Sequence, residues 1–192
     1  MEIFEKAGKA GSERAIELAL KKAGELGCGV VASYSRGYTA SLLAQKAKEM
    51  GFQGPLIVVR SVSSAAQQGV NAFPTELKEK LQREGVQFVT AAHALSAGER
   101  GISTRLKGAY PLEIMAHTLR TFGAGTKVCF ECAVMAMDAD LLPYGKPVVA
   151  LGGTGQGVDT AMVITPSYSA SILDTRIHEI LCKPGFYKEE AE

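Results

Sequence analysis

The chain has 192 residues, of which 46% are hydrophobic and 21% are charged, a composition typical of a folded domain and not of a disordered chain. A formal net charge of +1, with no basic stripe between aromatic residues, argues against nucleic-acid binding. No apolar run approaches the ~20 residues of a membrane-spanning helix, and the N-terminus does not resemble a signal peptide. We therefore expect one domain over residues 1–192, cytoplasmic, with neither a membrane nor a nucleic acid as partner.

Strands and helices alternate through the first half of the chain. Apolar residues at helical spacing predict helices over residues 12–26, 39–50 and 75–85. Short apolar runs between them predict strands over residues 28–33, 56–59 and 86–89. Strands that alternate with helices indicate βαβ units, and hence a parallel sheet with helices on both faces.

The second half of the chain is less regular. Pro111 begins a predicted helix, because proline is favoured in a first helical turn. Residues 127–142 could start as a strand, but the length of the run and its Ala, Met and Leu content favour a buried helix. A fourth strand over 146–151 and a fifth over 161–165 follow, then a short helix and a possible strand near 177–182.

A glycine-rich loop separates the fourth and fifth strands. Gly152, Gly153, Gly155 and Gly157 fall within six residues, with Thr154 among them. Glycines let backbone amides turn inward, and clustered amides bind anions. A bare strand connection also uses glycine, although a tight hairpin needs fewer. The loop is therefore either a ligand loop for a phosphate-like group or a plain connector, and its exposed glycines Gly153 and Gly155 are expected to be replaceable without loss of stability.

A second polar loop, SYSRGYT, follows the first strand and leads into a helix. Ser33, Ser35 and Thr39 offer hydroxyls, Arg36 offers positive charge, and Gly37 relaxes the turn. Amides at a helix N-terminus favour an anion, although Thr39 could serve only as the N-cap. The spacing of a P-loop is absent. If the fourth strand lies beside the first, the two loops flank one switch point of the sheet, where ligands bind in open α/β folds.

Three further polar residues, His93, Arg100 and Glu131, are candidates for chemistry. His93 could act as a general base, although a lone histidine is more often structural. Arg100 could clamp a phosphate or form a surface salt bridge. Glu131 lies in the apolar run VCFECAV, so it needs a partner or a shifted pKa. It is then either functional or the structural partner of an arginine.

The cysteines do not predict a metal site. Cys129 and Cys132 are the two that lie close together, and neither a second pair nor spaced histidines follow them. We expect both to be small buried hydrophobic residues and expect no metal.

At these loops the chain resembles the C-terminal domain of pyruvate kinase. The segment VVASYSRGYTASLLAQKAKE is similar to that domain's first strand, phosphate loop and helix, where a T-x-S-G-R-[ST]-A run binds an effector phosphate. Gly37, Thr39 and Ala40 match the run, and Tyr38 replaces its arginine. GPLIVV and KPVVALGGTGQGVDTAMVITP resemble its second strand and its effector loop between the last two strands.

A closer resemblance is to stand-alone archaeal and bacterial proteins similar to that domain. HALSAGERGIS, KVCFE and GVDTA look like motifs of that family, and the resemblance spans nearly the whole chain. It implies a three-layer α/β/α fold, with strand order 3-2-1-4-5 and the last strand antiparallel. It also implies flavin mononucleotide (FMN) as a possible ligand and a homo-oligomer as a possible state.

The pyruvate kinase barrel that carries the substrates and metals has no counterpart in this sequence, so kinase activity is not implied. We expect a binding or regulatory module for a phosphorylated small molecule. The alternative is an enzyme that acts on such a ligand or uses a flavin.

Overall fold

The computed structural model describes residues 1–62 and 69–185. The described helices are α1 (Ser12–Leu26), α2 (Tyr38–Glu49), α3 (Thr75–Arg83), α4 (Ala97–Leu106), α5 (Pro111–Arg120) and α6 (Ala124–Asp138). The described strands are β1 (Glu2–Phe4), β2 (Val30–Ser33), β3 (Leu56–Ser61), β4 (Gln87–Ala91), β5 (Val148–Gly152), β6 (Thr160–Thr165) and β7 (Arg176–Pro184). Short 3-10 turns occupy Gly8–Gly11, Ser35–Gly37 and Ser169–Asp174.

The strands form one seven-stranded sheet in the order β1-β7-β6-β5-β2-β3-β4. β6 runs antiparallel to both of its neighbours, and the other described strand pairs are parallel. The fold is thus α/β with a mostly parallel sheet.

The predicted strand order 3-2-1-4-5 describes only part of the sheet: the five predicted strands lie in that order, as β4-β3-β2-β5-β6, but the full sheet is larger. Two further strands, β7 and β1, lie beyond β6, and the antiparallel strand is inside the sheet and is not the last in the chain. β1 has three residues and lacks the length that makes a strand visible in a sequence.

The central strands are buried on both faces, which explains their continuous apolar sequences. Alternate residues of β5 enter two different cores: Val148 and Ala150 pack in one, and Val149 and Leu151 pack in the other. The first core contains the apolar face of α6, and the second contains that of α1. α1 and α6 therefore pack against opposite sides of these strands.

α6 resolves the ambiguous segment in favour of a helix. Residues Cys129–Met137 are all buried, because α6 packs along β2, β5 and β6. The helix approaches the sheet closely at Gly152, where a Cβ would collide with the carbonyl oxygen of Gly125. Glycine is therefore required at Gly152 for helix–sheet packing.

Glycines, and not hydroxyl side chains, occupy the cap positions before α1 and α2. The residue before α1 is Gly11, so Ser12 is the first helical residue and not the cap. The residue before α2 is Gly37, which has a left-handed φ of 99°, so Thr39 lies inside the first turn. Both hydroxyls are therefore available to loops outside their own helices.

The pairing of β2 with β5 positions the site. Val30, Val31 and Ala32 lie opposite Val149, Ala150 and Leu151 in parallel register. The carboxyl ends of β2 and β5, and the loops that follow them, therefore lie side by side. Within the described ranges, no helix combines the length and apolar character needed to cross a membrane.

Candidate ligand-binding site

A cavity of about 640 Å³ opens where the loops after β2 and β5 meet, and we call it the carboxyl-edge cavity. Its lining comes from the ends of β2, β4 and β5 and from one side of α6. The lining residues are Ser33, Tyr34, Ser35, Arg36, His93, Val128, Gly153, Gly155, Gln156 and Gly157. The cavity lies beyond the carboxyl ends of the strands, at the point where the strand order reverses. Open α/β sheets bind their ligands at this point. The volume lies within the usual range of small-molecule sites.

The two loops are joined directly. The backbone N–H of Gly157 donates a hydrogen bond of 2.7 Å to Ser35 Oγ, although the two residues are 122 positions apart in the chain. The hydroxyl of Ser35 accepts this bond and keeps its own proton for another acceptor. This contact fixes the width of the cavity at its glycine-loop side.

The loop after β2 has a strained backbone. Ser35 and Arg36 have φ values of 41° and 51°, and both are followed by Gly37 at 99°. Left-handed conformations are uncommon for residues with a Cβ and cost about 1–2 kcal/mol each. Such strain concentrates at functional sites. Here it orients the peptide groups around the exposed Arg36 at the mouth of the cavity.

Buried polar side chains form hydrogen bonds with the backbone of the glycine loop. Asp159 accepts hydrogen bonds from the N–H of Thr154 at 3.1 Å and from the N–H of Gly8 at 2.6 Å. Ser12 Oγ accepts from the N–H of Val158 at 3.0 Å. The 3-10 turn before α1 therefore lies against the glycine loop, and Asp159 accepts hydrogen bonds from both segments.

The glycines of this loop have different roles. A Cβ at Gly153 would collide with the carbonyl oxygen of Gly157, and a Cβ at Gly157 would collide with Ser12 Oγ. At Gly155 a Cβ would meet nothing within 4 Å. The expectation that Gly153 and Gly155 can be replaced without loss of stability is therefore wrong: the loop's own backbone fills the space at Gly153, and the left-handed φ of 68° at Gly155 disfavours a residue with a Cβ.

Two buried threonine hydroxyls lie near the two loops. Thr39 Oγ1 and Thr154 Oγ1 are buried and lack a hydrogen-bond partner within the described part of the chain. A buried polar group without a partner costs about 1–3 kcal/mol and calls for an explanation. Both residues belong to the segments that were predicted to bind an anion.

A polar network connects the cavity to the core of the protein. Glu131, whose side chain is 2% exposed, forms an ion pair with Lys127 one turn earlier on α6. Its Oε1 accepts from the N–H of Leu95 at 3.1 Å, and its Oε2 lies 3.4 Å from Nδ1 of His93. The His93 side chain is 46% exposed and lines the cavity. We call His93, Glu131 and Lys127 the cavity network.

The ionisation of Glu131 is set by opposing effects. Burial raises its pKa, but the contacts with His93 and Lys127 outweigh burial and lower the pKa below the usual 4.5. Glu131 is thus a carboxylate at neutral pH. Its partner is a lysine from its own helix and not the arginine considered from the sequence.

Arg100 lies outside the carboxyl-edge cavity. It is on α4 and lines a separate cavity of about 320 Å³ between α4 and α5, together with His117 and Arg120. Leu95 also lines this second cavity. The structure therefore separates Arg100 from His93 and the two loops.

The remaining predicted residues lie near the cavity without lining it. Gly37, Gly152 and Thr154 are adjacent in sequence to lining residues, Thr39 lies three residues after Arg36, and Glu131 contacts the cavity through His93. Ser33, Ser35, Arg36, His93, Gly153, Gly155 and Gly157 line it.

Three lining residues, Tyr34, Gln156 and Val128, were not predicted. Tyr34 and Gln156 lie inside the two predicted loops and could have been included with their neighbours. Val128 carried no signal, because an apolar residue in an apolar helix looks like core. Lys127 was also missed, although its spacing of four residues from Glu131 is the ordinary spacing of a helical ion pair.

Cys129 and Cys132 are buried, as their apolar surroundings predicted. Burial raises the pKa of the Cys132 thiol to about 12, which keeps it protonated and unreactive. Across residues 1–62 and 69–185, no group of three or more His, Cys, Asp or Glu side chains is arranged to hold a metal ion. No protein-family model matches the chain.

Proposed function

We propose that the protein binds a phosphorylated small molecule in the carboxyl-edge cavity and acts as a binding or regulatory module. The observation that carries this proposal is the junction of the two loops by the Gly157 to Ser35 hydrogen bond. It brings an exposed arginine, a glycine loop and serine hydroxyls to one opening. These groups are the donors that proteins use for phosphate.

The charge of the lining supports an anionic ligand. Arg36 forms no ion pair with any carboxylate in the described residues, and the side chains that line the cavity include no Asp or Glu. The Nζ atom of Lys9 lies 4.3 Å from the ring centroid of Tyr38, which directly follows the loop after β2. A phosphate would therefore meet positive charge and no competing carboxylate in the lining.

Flavin mononucleotide fits the residues present. Arg36 and the amides of the glycine loop would hold its phosphate, and among the described residues the buried hydroxyls of Thr39 and Thr154, near the lining, have no hydrogen-bond partner. Tyr34 offers an aromatic surface in the lining. When bound, a flavin supplies redox chemistry; the residues of this chain would bind and orient it.

The likeness to the pyruvate kinase C-terminal domain stays a prediction. The likeness is consistent with two phosphate-binding loops at one edge of the sheet. We propose on this basis neither kinase activity nor binding of the pyruvate kinase effector. The competing function, an enzyme acting on the phosphorylated ligand, is favoured by one observation, the His93–Glu131 contact at the cavity.

Equilibrium dialysis with FMN, riboflavin and ribose 5-phosphate tests the proposal. We expect FMN or ribose 5-phosphate to bind and riboflavin to bind at least tenfold more weakly, since it lacks the phosphate and its charge-assisted hydrogen bonds. Binding of FMN but not of ribose 5-phosphate would identify a flavin protein.

The matched variants are Arg36→Ala and Arg83→Ala. Arg36 lines the cavity, whereas Arg83 is an exposed residue at the end of α3. Arg36→Ala should weaken binding about tenfold, and Arg83→Ala should leave it unchanged. Equal affinity for FMN and riboflavin in the wild-type protein would contradict phosphate recognition.

A further inference from the structure

We infer that His93 is the general base of a proton-transfer reaction in the carboxyl-edge cavity, with Glu131 as its positioning residue. The substrate class is a phosphorylated aldehyde or ketone. The inference rests on the proposed binding of a phosphorylated ligand and adds an activity to it.

The contact with Glu131 selects one form of the histidine ring. Because Glu131 is a carboxylate 3.4 Å from Nδ1, Nδ1 carries the proton of the neutral ring and donates it toward Oε2. Nε2 is then the nitrogen that accepts a proton. The distance is at the long end for a hydrogen bond, as is common before a substrate closes a catalytic site.

Glu131 is held so that it can orient His93. The N–H of Leu95 and the ammonium group of Lys127 contact the same carboxylate, and both Glu131 and Lys127 are buried. A buried ion pair is weak evidence for stability, because desolvation offsets much of its attraction. The cavity network instead holds the Glu131 carboxylate, whose charge is balanced by Lys127, against the imidazole of His93.

The other lining groups narrow the reaction class. Among the described residues that line the cavity there is no thiol or carboxylate, and His93 is the one side chain of a type that exchanges protons near neutral pH. A single base serves a reaction in which one proton is removed and then returned. Enolisation of a carbonyl compound is such a reaction and needs no oxidant.

The step balances within the site. Nε2 of His93 takes the proton from the carbon next to the carbonyl group, and the C–H electron pair forms the C=C bond as the carbonyl π pair moves onto oxygen. The hydroxyl of Ser35, whose proton is free, and the side chain of Gln156 are donors for this oxygen. The imidazolium then returns the proton to carbon, and the two transfers leave His93 unchanged.

Solvent exchange in D₂O tests the activity. Dihydroxyacetone phosphate and ribulose 5-phosphate are the probes; ¹H spectra follow loss of the C–H signals, and ³¹P spectra of the same samples report binding. We expect the wild-type protein to exchange a probe at least 100-fold faster than His93→Asn, the lower end of the range for general base catalysis. His117→Asn, on α5 outside the cavity, should match the wild type.

The positioning role of Glu131 is tested with measurements that a change in protein stability would not alter. Long-range ¹H–¹⁵N spectra should show the Nδ1–H form of His93 in the wild type and in Glu131→Asp, and loss of that preference in Glu131→Gln. Exchange should fall about tenfold or more in Glu131→Gln and recover in part in Glu131→Asp.

Three outcomes would overturn the inference: binding of a probe without exchange, exchange that survives His93→Asn, or an Nε2–H form of His93 in the wild type. If neither probe binds or exchanges, the inference also fails. The dialysis with FMN and ribose 5-phosphate decides the binding proposal separately.

Discussion

Glu131 and Lys127 form a buried ion pair, so removal of either side chain would leave the other as an uncompensated charge in the core. Glu131→Gln leaves the Lys127 ammonium group buried without its carboxylate, so we expect a loss of about 3 kcal/mol in the free energy of unfolding. Urea denaturation measures this loss.

Two controls separate burial from charge. The double variant Lys127→Met/Glu131→Leu removes both charges and should be more stable than Glu131→Gln. Glu49→Gln removes an exposed carboxylate at the end of α2 and should change stability little. A double variant as unstable as Glu131→Gln would show that shape, and not charge, holds this part of α6.

The pH dependence of the same pair has a defined sign. The pKa of Glu131 is lower in the folded protein than its usual 4.5, so the ionised form stabilises the fold. This contribution is complete above about pH 4.5 and is lost as the pH falls through the lowered value. The stability difference between wild type and Glu131→Gln should therefore be constant near neutral pH and shrink below pH 4.5. A difference that grew on acidification would contradict the assignment.

At the scale of single elements, the turn after β2 combines strain with the proposed ligand contact. Arg36 has φ 51° and ψ 26°, which glycine adopts without the steric cost of a Cβ. Arg36→Gly should therefore raise the free energy of unfolding by about 1 kcal/mol while it weakens phosphate binding. Thermal denaturation and dialysis on the same sample measure both effects. A variant less stable than the wild type would mean that the Arg36 side chain itself supports the fold.

The junction of the two loops gives a matched pair of serine variants. Ser35→Ala removes the acceptor of the Gly157 N–H and should cost about 1 kcal/mol, and it should widen the cavity and weaken binding. Ser33→Ala changes a serine that lines the same cavity but forms no side-chain hydrogen bond within the described residues. It should leave stability nearly unchanged. Equal effects of the two variants would show that the junction does not organise the site.

Elements with a clear period were predictable from the sequence, and those defined by tertiary contacts were not. α1 was predicted over residues 12–26 and is observed as Ser12–Leu26, because its apolar stripe and Gly27 define both ends. The left-handed turn at Ser35 and Arg36 had no local signal, because neither residue type demands that conformation. It is imposed by packing and by the Gly157 contact across the chain.

The strand order of the whole sheet was likewise only partly predictable from the sequence. Alternation of strands and helices predicted an α/β fold, but the two strands beyond β6 depend on pairing between the two ends of the described chain. β1 pairs with residues Cys182–Pro184 of β7, and this contact cannot be inferred from a segment of three residues. It nevertheless matters for the site, because β1 leads to the turn at Gly8–Gly11 that supports the glycine loop. Self-association of the molecule stays a prediction, for which sedimentation is the test.

The candidate site was predictable to the level of its loops. Both loops were recognised from residue types, and the structure joins them through strands β2 and β5. The roles of individual residues were not predictable, because they depend on distance: Gly152 serves helix packing, and Arg100 lies in another cavity. His93 and Glu131, 38 residues apart, were both candidates, but their contact emerges only from the fold.

The central claim is that phosphate binds between the loops after β2 and β5. A titration of ¹⁵N-labelled protein with inorganic phosphate, followed by ¹H–¹⁵N correlation spectra at constant ionic strength, tests it most directly. The amides of Arg36, Gly37, Gly155 and Gly157 should show the largest saturable shifts. If these amides stay still, or if the shifts map instead to the α4–α5 cavity around Arg100, the claim is contradicted.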